Sequence, residues 1–428
     1  MKARQPRVGL LPSEMLRPQM AGIAIRYAEM AKSLPRLGIE VVLVQPGDPA
    51  AAAALELPLA DLRPFERGRL ASLLADCDVV ISQGQLANDL VIEVPGIPSV
   101  IDLYDPFLIE NMHYLPSLGL DPYRNDHATF VLQLSRGDFF LCSCEEQRQF
   151  YLGFLAALGR VHPRLLATDP DLDSLLAVVP FGLPATPPVQ DPAPLLPARR
   201  PGQKYLLFGG LYDWYDPWPL LAAIAARAPR DWTLLLIRNP NPGTPQKLFG
   251  EVEAWCRARG LWGEVVQALD WVPSQRRYDL LREVDVLVAT HRVDLETRLS
   301  LRTRFLDAFC VGCPVLTTAG GAIARLLKEH GAGWVVPEGD AAAITRALEE
   351  ILAGGAEPER RRAASRRLAA DFTWERVLEP LAAYCRAPRV DPDKAAFAFR
   401  PATSAPPDPF LFRLRRYLRR KLGPGVPS

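Results

Sequence analysis

A run of arginines and hydroxyl residues at the start of one helical pattern is the strongest chemical feature of this sequence. Arg298, Arg302 and Arg304 lie beside Ser300 and Thr303. The first turn of a helix already presents positive potential through its free N–H groups, so arginines there lower helix stability. A bound phosphate offsets this cost, because backbone N–H groups and guanidinium groups both donate to phosphate oxygens. The pattern therefore predicts an anion site at this helix N-terminus.

The helix that carries this charge is predicted from its apolar spacing. Leu301, Phe305 and Phe309 recur every four residues, which places them on one helical face. Ser300 stands in the position of an N-cap, and Gly312 follows the apolar run as a helix terminator does.

A surface ion pair is the alternative explanation for this charge. Arg304 and Asp307 are three residues apart, the spacing at which opposite charges pair on a helix, and such a pair contributes only about 0.2–0.5 kcal/mol. The pair would account for one arginine and leave Arg298 and Arg302 unexplained. We therefore favour the anion site.

Composition excludes several classes of protein. The 428 residues include 50 basic and 49 acidic side chains, so no overall basic field points to nucleic acid. Residues 410–428 hold six of the basic side chains and no acidic one, which leaves the rest of the chain with a net charge of −5. No stretch approaches the roughly 18–20 apolar residues of a membrane span, and the N-terminal apolar run is too short for a signal peptide.

The seven cysteines indicate a reducing compartment, because an odd number spread over a long chain does not resemble a secreted disulfide framework. Cys310 and Cys313 form a C-x-x-C pair and Cys142 and Cys144 a C-x-C pair, but no matching Cys/His pair lies nearby. We interpret them as small core residues rather than metal ligands. We expect a cytoplasmic protein, or one peripheral on the inner face of the membrane.

Short β-branched runs alternate with longer helical patterns, which predicts α/β architecture with parallel sheets. Twelve such runs fall into two halves, and each half is long enough for a doubly wound sheet. The predicted strands are 8–11, 41–44, 79–82, 99–103, 139–143, 177–179, 205–208, 233–237, 265–268, 286–289, 314–317 and 334–336.

Proline density sets the predicted domain boundaries, because proline-rich stretches form extended connectors. Two Rossmann-like domains joined by one connector leave a cleft, and open parallel sheets bind ligands at the carboxyl ends of their strands. The predicted units are an N-terminal domain at 1–184, a linker at 185–203, a C-terminal domain at 204–371, a terminal helix at 372–385, a proline-rich linker at 386–409 and a basic tail at 410–428.

Residues 295–352 resemble the donor-binding segment of GT-B-fold retaining glycosyltransferases of family 4, which use nucleotide-diphosphate sugars. Asp307 stands where the family has a carboxylate that hydrogen-bonds the nucleotide ribose, and residues 312–315 match its Gly-x-Pro-Val turn. Leu299 stands where the family has a second carboxylate that approaches the donor sugar. Glu296 is the nearest substitute. The resemblance implies the GT-B fold, with two domains facing a cleft.

Residues 205–224 resemble the first strand, glycine loop and helix of the family's C-terminal domain. The resemblance implies that Gly209 and Gly210 let the backbone approach the diphosphate. This loop lacks the Arg and Lys that many relatives carry there, and we infer that Arg302 and Arg304 supply the charge instead. The implied donor-binding residues are Gly209, Gly210, Val272, Arg302, Thr303, Arg304 and Asp307.

Acceptor residues are expected from the first domain. Gly22 is placed like the family's cleft-facing glycine loop, and Arg26 follows in the next helix, either in the cleft or on a solvated face. Asp102, Asp105 and His113 follow a predicted strand, where carboxylates serve as hydroxyl ligands or a base. The alternatives are that the aspartates cap a turn and that the histidine is structural. The predicted catalytic residues are Asp102, Asp105, Glu296 and Arg302.

The resemblance implies a hexosyltransferase that moves a sugar with retention onto a glycan or lipid-linked acceptor, in surface polysaccharide or glycolipid synthesis. No cofactor or metal is expected, since the front-face mechanism that the resemblance implies requires none. A nucleotide-sugar epimerase of the same fold and a non-catalytic nucleotide-sugar-binding protein are the alternatives.

The basic tail has its own pattern. Leucines recur at helical spacing between Phe410 and Leu422, with most basic residues opposite. Such a helix favours contact with an anionic membrane surface, and packing on the protein body is the alternative.

Overall fold

Two parallel β-sheets form the framework of the protein. The structure is a computed structural model that describes residues 4–227, 230–239 and 246–398. The basic tail, including Phe410–Leu422, lies outside the described residues. Each sheet is flanked by helices, as expected for two doubly wound α/β domains. The predicted fold class is confirmed.

The first sheet has seven strands in the order β3-β2-β1-β4-β5-β6-β7, and every pairing is parallel. Sequence reasoning missed only one of them, the edge strand at Asp61–Pro64, because its charged residues and proline conceal the apolar signal. The strands are β1 (Arg7–Leu11), β2 (Glu40–Gln45), β3 (Asp61–Pro64), β4 (Val79–Ser82), β5 (Ser99–Asp102), β6 (Phe139–Cys142) and β7 (Leu176–Val178).

The second sheet has six parallel strands in the order β10-β9-β8-β11-β12-β13. All six were predicted, and all but β10 are short, largely buried runs. In β10 only Val266 is buried. The strands are β8 (Lys204–Gly210), β9 (Trp232–Ile237), β10 (Val266–Leu269), β11 (Val286–Ala289), β12 (Val315–Thr318) and β13 (Trp334–Val336).

Helices cover both sheets. In the described residues the α-helices are α1 (Gly22–Ser33), α2 (Pro49–Ala53), α3 (Leu70–Leu73), α4 (Gly84–Glu93), α5 (Phe107–Glu110), α6 (Leu115–Leu118), α7 (Asp121–Arg136), α8 (Glu145–Ala157), α9 (Pro163–Thr168), α10 (Trp218–Ala225), α11 (Lys247–Arg257), α12 (Arg277–Glu283), α13 (Leu295–Leu299), α14 (Thr303–Val311), α15 (Gly321–His330), α16 (Ala341–Ala353), α17 (Ala356–Ala369), α18 (Trp374–Val377) and α19 (Glu379–Arg386). Short 3-10 turns lie at Leu34–Leu37, Asn111–Tyr114, Ser274–Arg276 and Ala370–Phe372.

Strand order locates the crevice in each domain. β1 lies between β2 and β4, and β8 lies between β9 and β11, so the chain changes direction along the sheet at these two strands. Ligands of open parallel sheets bind outside the carboxyl ends of strands at such switch points. The loops after β1 and β8 are therefore the positions where a ligand site is expected.

The helix α13 of the second domain packs into the first domain. Leu299 is buried in an apolar cluster with Tyr151 and Leu155 of α8. Tyr104 Oη donates to the Leu301 carbonyl at 3.3 Å, and Arg325 pairs with Glu146 at 2.8 Å. These contacts hold the two domains together beside the cleft.

The chain returns to the first domain after α17. Trp374 packs on the connector between the domains, where a side chain at Gly182 would come within 2.3 Å of the indole. The ring of Tyr384 stacks on Phe139 at 4.2 Å. Helices α18 and α19 thus lie on the N-terminal domain.

The proline-rich stretch after α19 is also attached to the first domain, where a free connector was expected. Asp391 pairs with the buried Arg160 at 2.7 Å, and Lys394 pairs with Asp138 at 2.7 Å. The ring of Phe397 stacks on His162. The described part of this segment is therefore fixed by ion pairs and ring contacts.

Candidate functional site

Two adjoining cavities lie in the cleft between the domains. The first measures about 220 Å³ and the second about 260 Å³, and both are lined by Gly22 of the first domain together with Thr303 and Arg304 of the second. We call them the donor cavity and the transfer cavity. The loops after β1 and β8 both contribute to them, as the strand order predicts.

The glycine loop after β8 is shaped by Arg304. Gly209 has a φ of +82°, and a Cβ at that position would lie 2.6 Å from Arg304 Nη1. The same Nη1 donates to the carbonyl oxygens of Phe208 at 2.9 Å and Gly210 at 3.0 Å. Only glycine combines this backbone conformation with such a close approach. Arg304 therefore holds the loop and places its charge beside it, and within the described residues it forms no salt bridge.

Asp307 pairs with a residue that sequence analysis did not single out. Arg277 Nε lies 3.2 Å from Asp307 Oδ1, and Arg277 Nη1 donates to the Ser274 carbonyl at 2.8 Å. Both side chains line the donor cavity. The proposed surface pair between Arg304 and Asp307 is thus wrong. The only sequence signal for Arg277 was its place five residues after Val272, an implied donor-binding residue.

Part of the lining of the donor cavity is apolar. Trp271 and Val272 follow β10, are half-buried and line this cavity. The cavity is thus lined by apolar groups together with Arg304 and the start of the helix α14.

Arg302 lies in the transfer cavity and is neutralised by Glu296. Arg302 Nη2 donates to Glu296 Oε2 at 2.8 Å, and the Glu296 side chain is fully buried. Ser300 Oγ donates to the other oxygen of Glu296 at 2.5 Å. The guanidinium of Arg302 also lies 4.5 Å from the ring centroid of Tyr215. Glu296 is therefore held by its neighbours as a fixed counter-charge of Arg302.

The N-cap prediction for Ser300 is wrong. The short helix α13 ends at Leu299 with Ser300 as its C-cap, and α14 begins only at Thr303 with Arg302 as its N-cap. The Ser300 hydroxyl instead donates to the carboxylate of Glu296, four residues earlier in the chain. The terminator at Gly312 is confirmed, with a φ of +70°.

Three carboxyl groups of the first domain line the transfer cavity. Burial, with the charges of Asp102 and Glu14, raises the pKa of Asp105 to about 7. Burial and the charges of Asp105 and Glu296 hold the pKa of Glu110 well above its ordinary value. Burial also raises the pKa of Glu14. At neutral pH this wall thus carries less negative charge than its carboxyl count suggests.

Asp102 does not line the transfer cavity, contrary to the expectation that it takes part in the chemistry. It forms an ion pair with Arg26 at 2.7 Å in which both side chains are fully buried. Arg26 also donates to the carbonyl oxygens of Val179 at 2.9 Å and Pro180 at 3.0 Å. This network ties α1 and β5 to the start of the domain connector. Arg26 and Asp102 are therefore positioning residues.

His113 faces a different cavity. Its Nε2 lies 3.7 Å from Asp294 Oδ2, and its ring lies 6.5 Å from that of Trp214. It lines neither the donor cavity nor the transfer cavity. His113 and Gly22 were both predicted as acceptor residues of the first domain. The structure places them at different cavities.

Other features of the described residues bear on chemistry. All seven cysteines are free and buried, which agrees with their interpretation as core residues. Within the described ranges, no group of three or more His, Cys, Asp or Glu side chains is arranged to hold a metal ion. No helix in these ranges has the length and apolar character needed to cross a membrane.

Comparisons with known proteins agree with this architecture. Residues 203–354 match the family described as "Glycosyl transferases group 1". No curated protein sequence matches the chain. Sucrose-phosphate synthase from Thermosynechococcus elongatus is 14% identical, with 89% of this chain and 98% of that chain covered and a TM-score of 0.59.

Two further solved structures are similar. A glycosyltransferase from Rickettsia africae is 13% identical over 90% of this chain and 100% of its own, with a TM-score of 0.61. HepE from Anabaena in complex with UDP-glucose is 16% identical over 88% of this chain and 99% of its own, with a TM-score of 0.61. The chain has the GT-B fold of these proteins.

Proposed function

We propose that this protein is a glycosyltransferase that moves a sugar from a nucleotide-diphosphate sugar to a glycan or lipid-linked acceptor. The observation that carries the proposal is the donor cavity. Its Trp271 and Val272, its glycine loop and the α14 N-terminus all lie in the domain that matches group 1 glycosyl transferases. HepE, a similar structure, is in complex with UDP-glucose, which supports a nucleotide-sugar donor.

The leaving diphosphate is stabilised by arginine and backbone groups. Arg304 presents a guanidinium beside Gly210, and none of the carboxylates that the structure describes pairs with it. The free N–H groups at the start of α14 add positive potential at Thr303. Arg302 contributes less in the free enzyme, because Glu296 neutralises it. We assign Arg304 the main role in neutralising the departing pyrophosphate.

Asp105 is the candidate base on the acceptor side. It lines the transfer cavity opposite Arg302 and Arg304, and its pKa of about 7 lets it accept a proton from an acceptor hydroxyl near neutral pH. The position of Leu299, packed into the first domain, holds no carboxylate. Transfer with retention by front-face attack, as family 4 enzymes imply, requires no protein nucleophile and fits this arrangement. No metal is assigned a role.

A thermal-shift panel of nucleoside diphosphates and their sugar conjugates tests the donor site. A ligand at 100 times its Kd stabilises the protein by about 2.7 kcal/mol. We expect a shift with at least one nucleoside diphosphate and its loss in Arg304→Met. Arg298→Met is the matched control, since Arg298 is exposed and lines neither cavity. An unchanged shift in Arg304→Met would contradict the assignment of the diphosphate site.

Product analysis separates the reactions that a nucleotide-sugar site supports. A transferase forms product only with an added acceptor and slowly hydrolyses the donor without one. An epimerase converts the donor alone into its stereoisomer, and a non-catalytic binder leaves the donor intact. Donor conversion without hydrolysis and without an acceptor would contradict transfer.

The basic tail, outside the described residues, is proposed to bring the enzyme to the cytoplasmic face of a membrane, where surface polysaccharide or glycolipid precursors are anchored. Its six basic side chains favour anionic lipid by about 1 kcal/mol each. We expect the full chain to sediment with phosphatidylglycerol vesicles and a chain truncated after Ala398 to remain in solution. Equal sedimentation of both would contradict the proposal.

A further inference from the structure

A third cavity beside the cleft takes no part in the reaction as proposed. It measures about 360 Å³, inside the range of about 300–1,000 Å³ typical of small-molecule sites. Trp214 and Tyr215 line both this cavity and the transfer cavity, so they form a shared wall. His113 contributes from the first domain. The third cavity, which we call the side cavity, therefore lies directly beside the transfer cavity.

Aromatic rings form a fixed surface of the side cavity. The ring of Trp214 stacks on Tyr212 with centroids 4.8 Å apart and an angle of 4° between the planes, and the edge of Tyr114 contacts it at 6.1 Å. Trp218 is held edge to face by Trp255 at 6.2 Å. Both indole rings are thus held by aromatic neighbours, and both belong to residues that line the cavity.

The polar groups around these rings are of both signs. Asp213 accepts from the Leu248 N–H at 3.0 Å and Asp294 from the Thr297 N–H at 2.9 Å, whereas the two cations are weakly paired. Lys247 lies 3.7 Å from Glu251, longer than a hydrogen bond. Arg292 is exposed and forms no salt bridge with any residue that the structure describes. Asp213 and Asp294 complete the set, so three carboxylates accompany two permanent cations. Such a lining offers donors and acceptors with little net charge.

This combination selects among ligand classes. A hydroxyl donates to a carboxylate and accepts from an ammonium or guanidinium group, so it satisfies both kinds of side chain. The C–H face of a sugar ring packs on a flat indole, whose body is apolar. A phosphate would satisfy Lys247 and Arg292 but would be repelled by the carboxylates of Asp213, Glu251 and Asp294.

We propose that the side cavity binds a neutral sugar unit of the acceptor, adjacent to the unit that receives the transferred sugar. The inference rests on the proposed transferase function and deepens it. It makes the enzyme selective for acceptors of at least two sugar units, because a monosaccharide in the transfer cavity leaves the side cavity empty. Trp214 lies between the two units.

Saccharide titration of the full chain tests this inference without needing turnover. The probes are methyl glycosides, disaccharides and trisaccharides of glucose, galactose, mannose and N-acetylglucosamine. Their binding is measured by saturation-transfer NMR. We expect at least one series in which the Kd falls ten-fold or more from mono- to disaccharide. In Arg292→Ala and in Glu251→Gln, this ratio of the monosaccharide Kd to the disaccharide Kd should be at least five-fold smaller. Arg298→Ala, the same exchange at an exposed arginine outside the cavity, should change it less than two-fold.

Two results would overturn the inference. One is the absence of any gain with saccharide length across all four series. The other is a gain that Arg292→Ala and Glu251→Gln leave intact. The thermal shift by a nucleoside diphosphate, measured on the same samples, reads the donor site separately. If the unmodified protein shows the thermal shift but no gain in affinity with saccharide length, only the side-cavity proposal is rejected. If the unmodified protein shows no thermal shift with any nucleoside diphosphate, the transferase proposal is rejected.

Discussion

Arg302 and Glu296 form a 2.8 Å salt bridge whose carboxylate is fully buried and whose guanidinium faces the transfer cavity. The pair places a cation in the cleft and holds it there with a fixed counter-charge. Under the proposed function, a diphosphate at this site competes with Glu296 for the cation. We therefore expect the carboxylate of Glu296 to weaken donor binding through Arg302.

Glu296→Gln is expected to destabilise the free protein and to strengthen diphosphate binding. Removing one partner of a buried pair leaves an uncompensated charge, which typically costs about 3–5 kcal/mol. A diphosphate restores the missing negative charge, so the ligand-induced thermal shift should exceed that of the unmodified protein. Thermal melts with and without nucleoside diphosphate measure both effects. A smaller shift in Glu296→Gln would show that Glu296 contacts the donor directly.

Gly209→Ala should abolish donor binding. The new Cβ would meet Arg304 Nη1 at 2.6 Å in a backbone conformation that alanine rarely adopts, so the arginine and its loop must move. We expect at least a ten-fold increase in the Kd for a nucleoside diphosphate, measured by calorimetry. Gly250→Ala is the control, because Gly250 lies in α11 with open space around its Cβ position and alanine favours the helix by about 1 kcal/mol. Equal Kd values for the two variants would refute the role of the loop.

Transfer activity should rise as the pH increases through about 7. Asp105 accepts a proton only when ionised, and its pKa is about 7 because burial and neighbouring carboxylates oppose its charge. The test is the initial rate under kcat/KM conditions, measured between pH 5.5 and 8.5. In Asp105→Asn we expect the rise in this rate through about pH 7 to disappear. A variant that retains the same pH profile would exclude Asp105 as the base.

The same pKa fixes the sign of the effect of Asp105 on stability. Its pKa in the folded protein lies above the ordinary value of 3.8, so the unfolded chain ionises first as the pH rises. Stability is consequently lost between about pH 4 and 7. The free energy of unfolding of Asp105→Asn, relative to the unmodified protein, should therefore increase across that window and level off above it. A constant difference would contradict the raised pKa.

The sequence predicted the sheets better than the site. Runs such as Val286–Ala289 are short, β-branched and buried, so the local pattern identifies them directly. The edge strand Asp61–Pro64 escaped because its stability comes from backbone pairing with β2 rather than from an apolar run. Local pattern is thus informative where the side chains themselves are buried.

The side-chain partners were not predictable in the same way. Arg277 and Asp307 are thirty positions apart in the sequence, and Arg26 and Asp102 are seventy-six apart. The partner of each of these side chains is set by the fold and is not visible in the local sequence. Arg302 lies in the cleft, but only the fold shows that Glu296 compensates its charge. Charge spacing therefore identifies a region, and tertiary pairing decides which charge is free.

The buried pair of Arg26 and Asp102 should determine stability rather than chemistry. Asp102→Asn leaves the fully buried guanidinium without a counter-charge, and we expect a loss of about 3–5 kcal/mol in the free energy of unfolding by urea. Replacing both partners, as in Arg26→Met with Asp102→Leu, should recover only part of this loss. No unpaired charge remains, but the carbonyl oxygens of Val179 and Pro180 lose their donor.

An exposed pair provides the comparison for this prediction. Arg67 pairs with Asp89 at 3.1 Å but is 75% exposed, so Arg67→Met should cost less than about 1 kcal/mol. At temperatures where Asp102→Asn remains folded, its kcat should stay within a few-fold of the unmodified enzyme, since Asp102 does not line the transfer cavity. A folded Asp102→Asn protein with normal donor binding and no activity would instead return Asp102 to the catalytic groups.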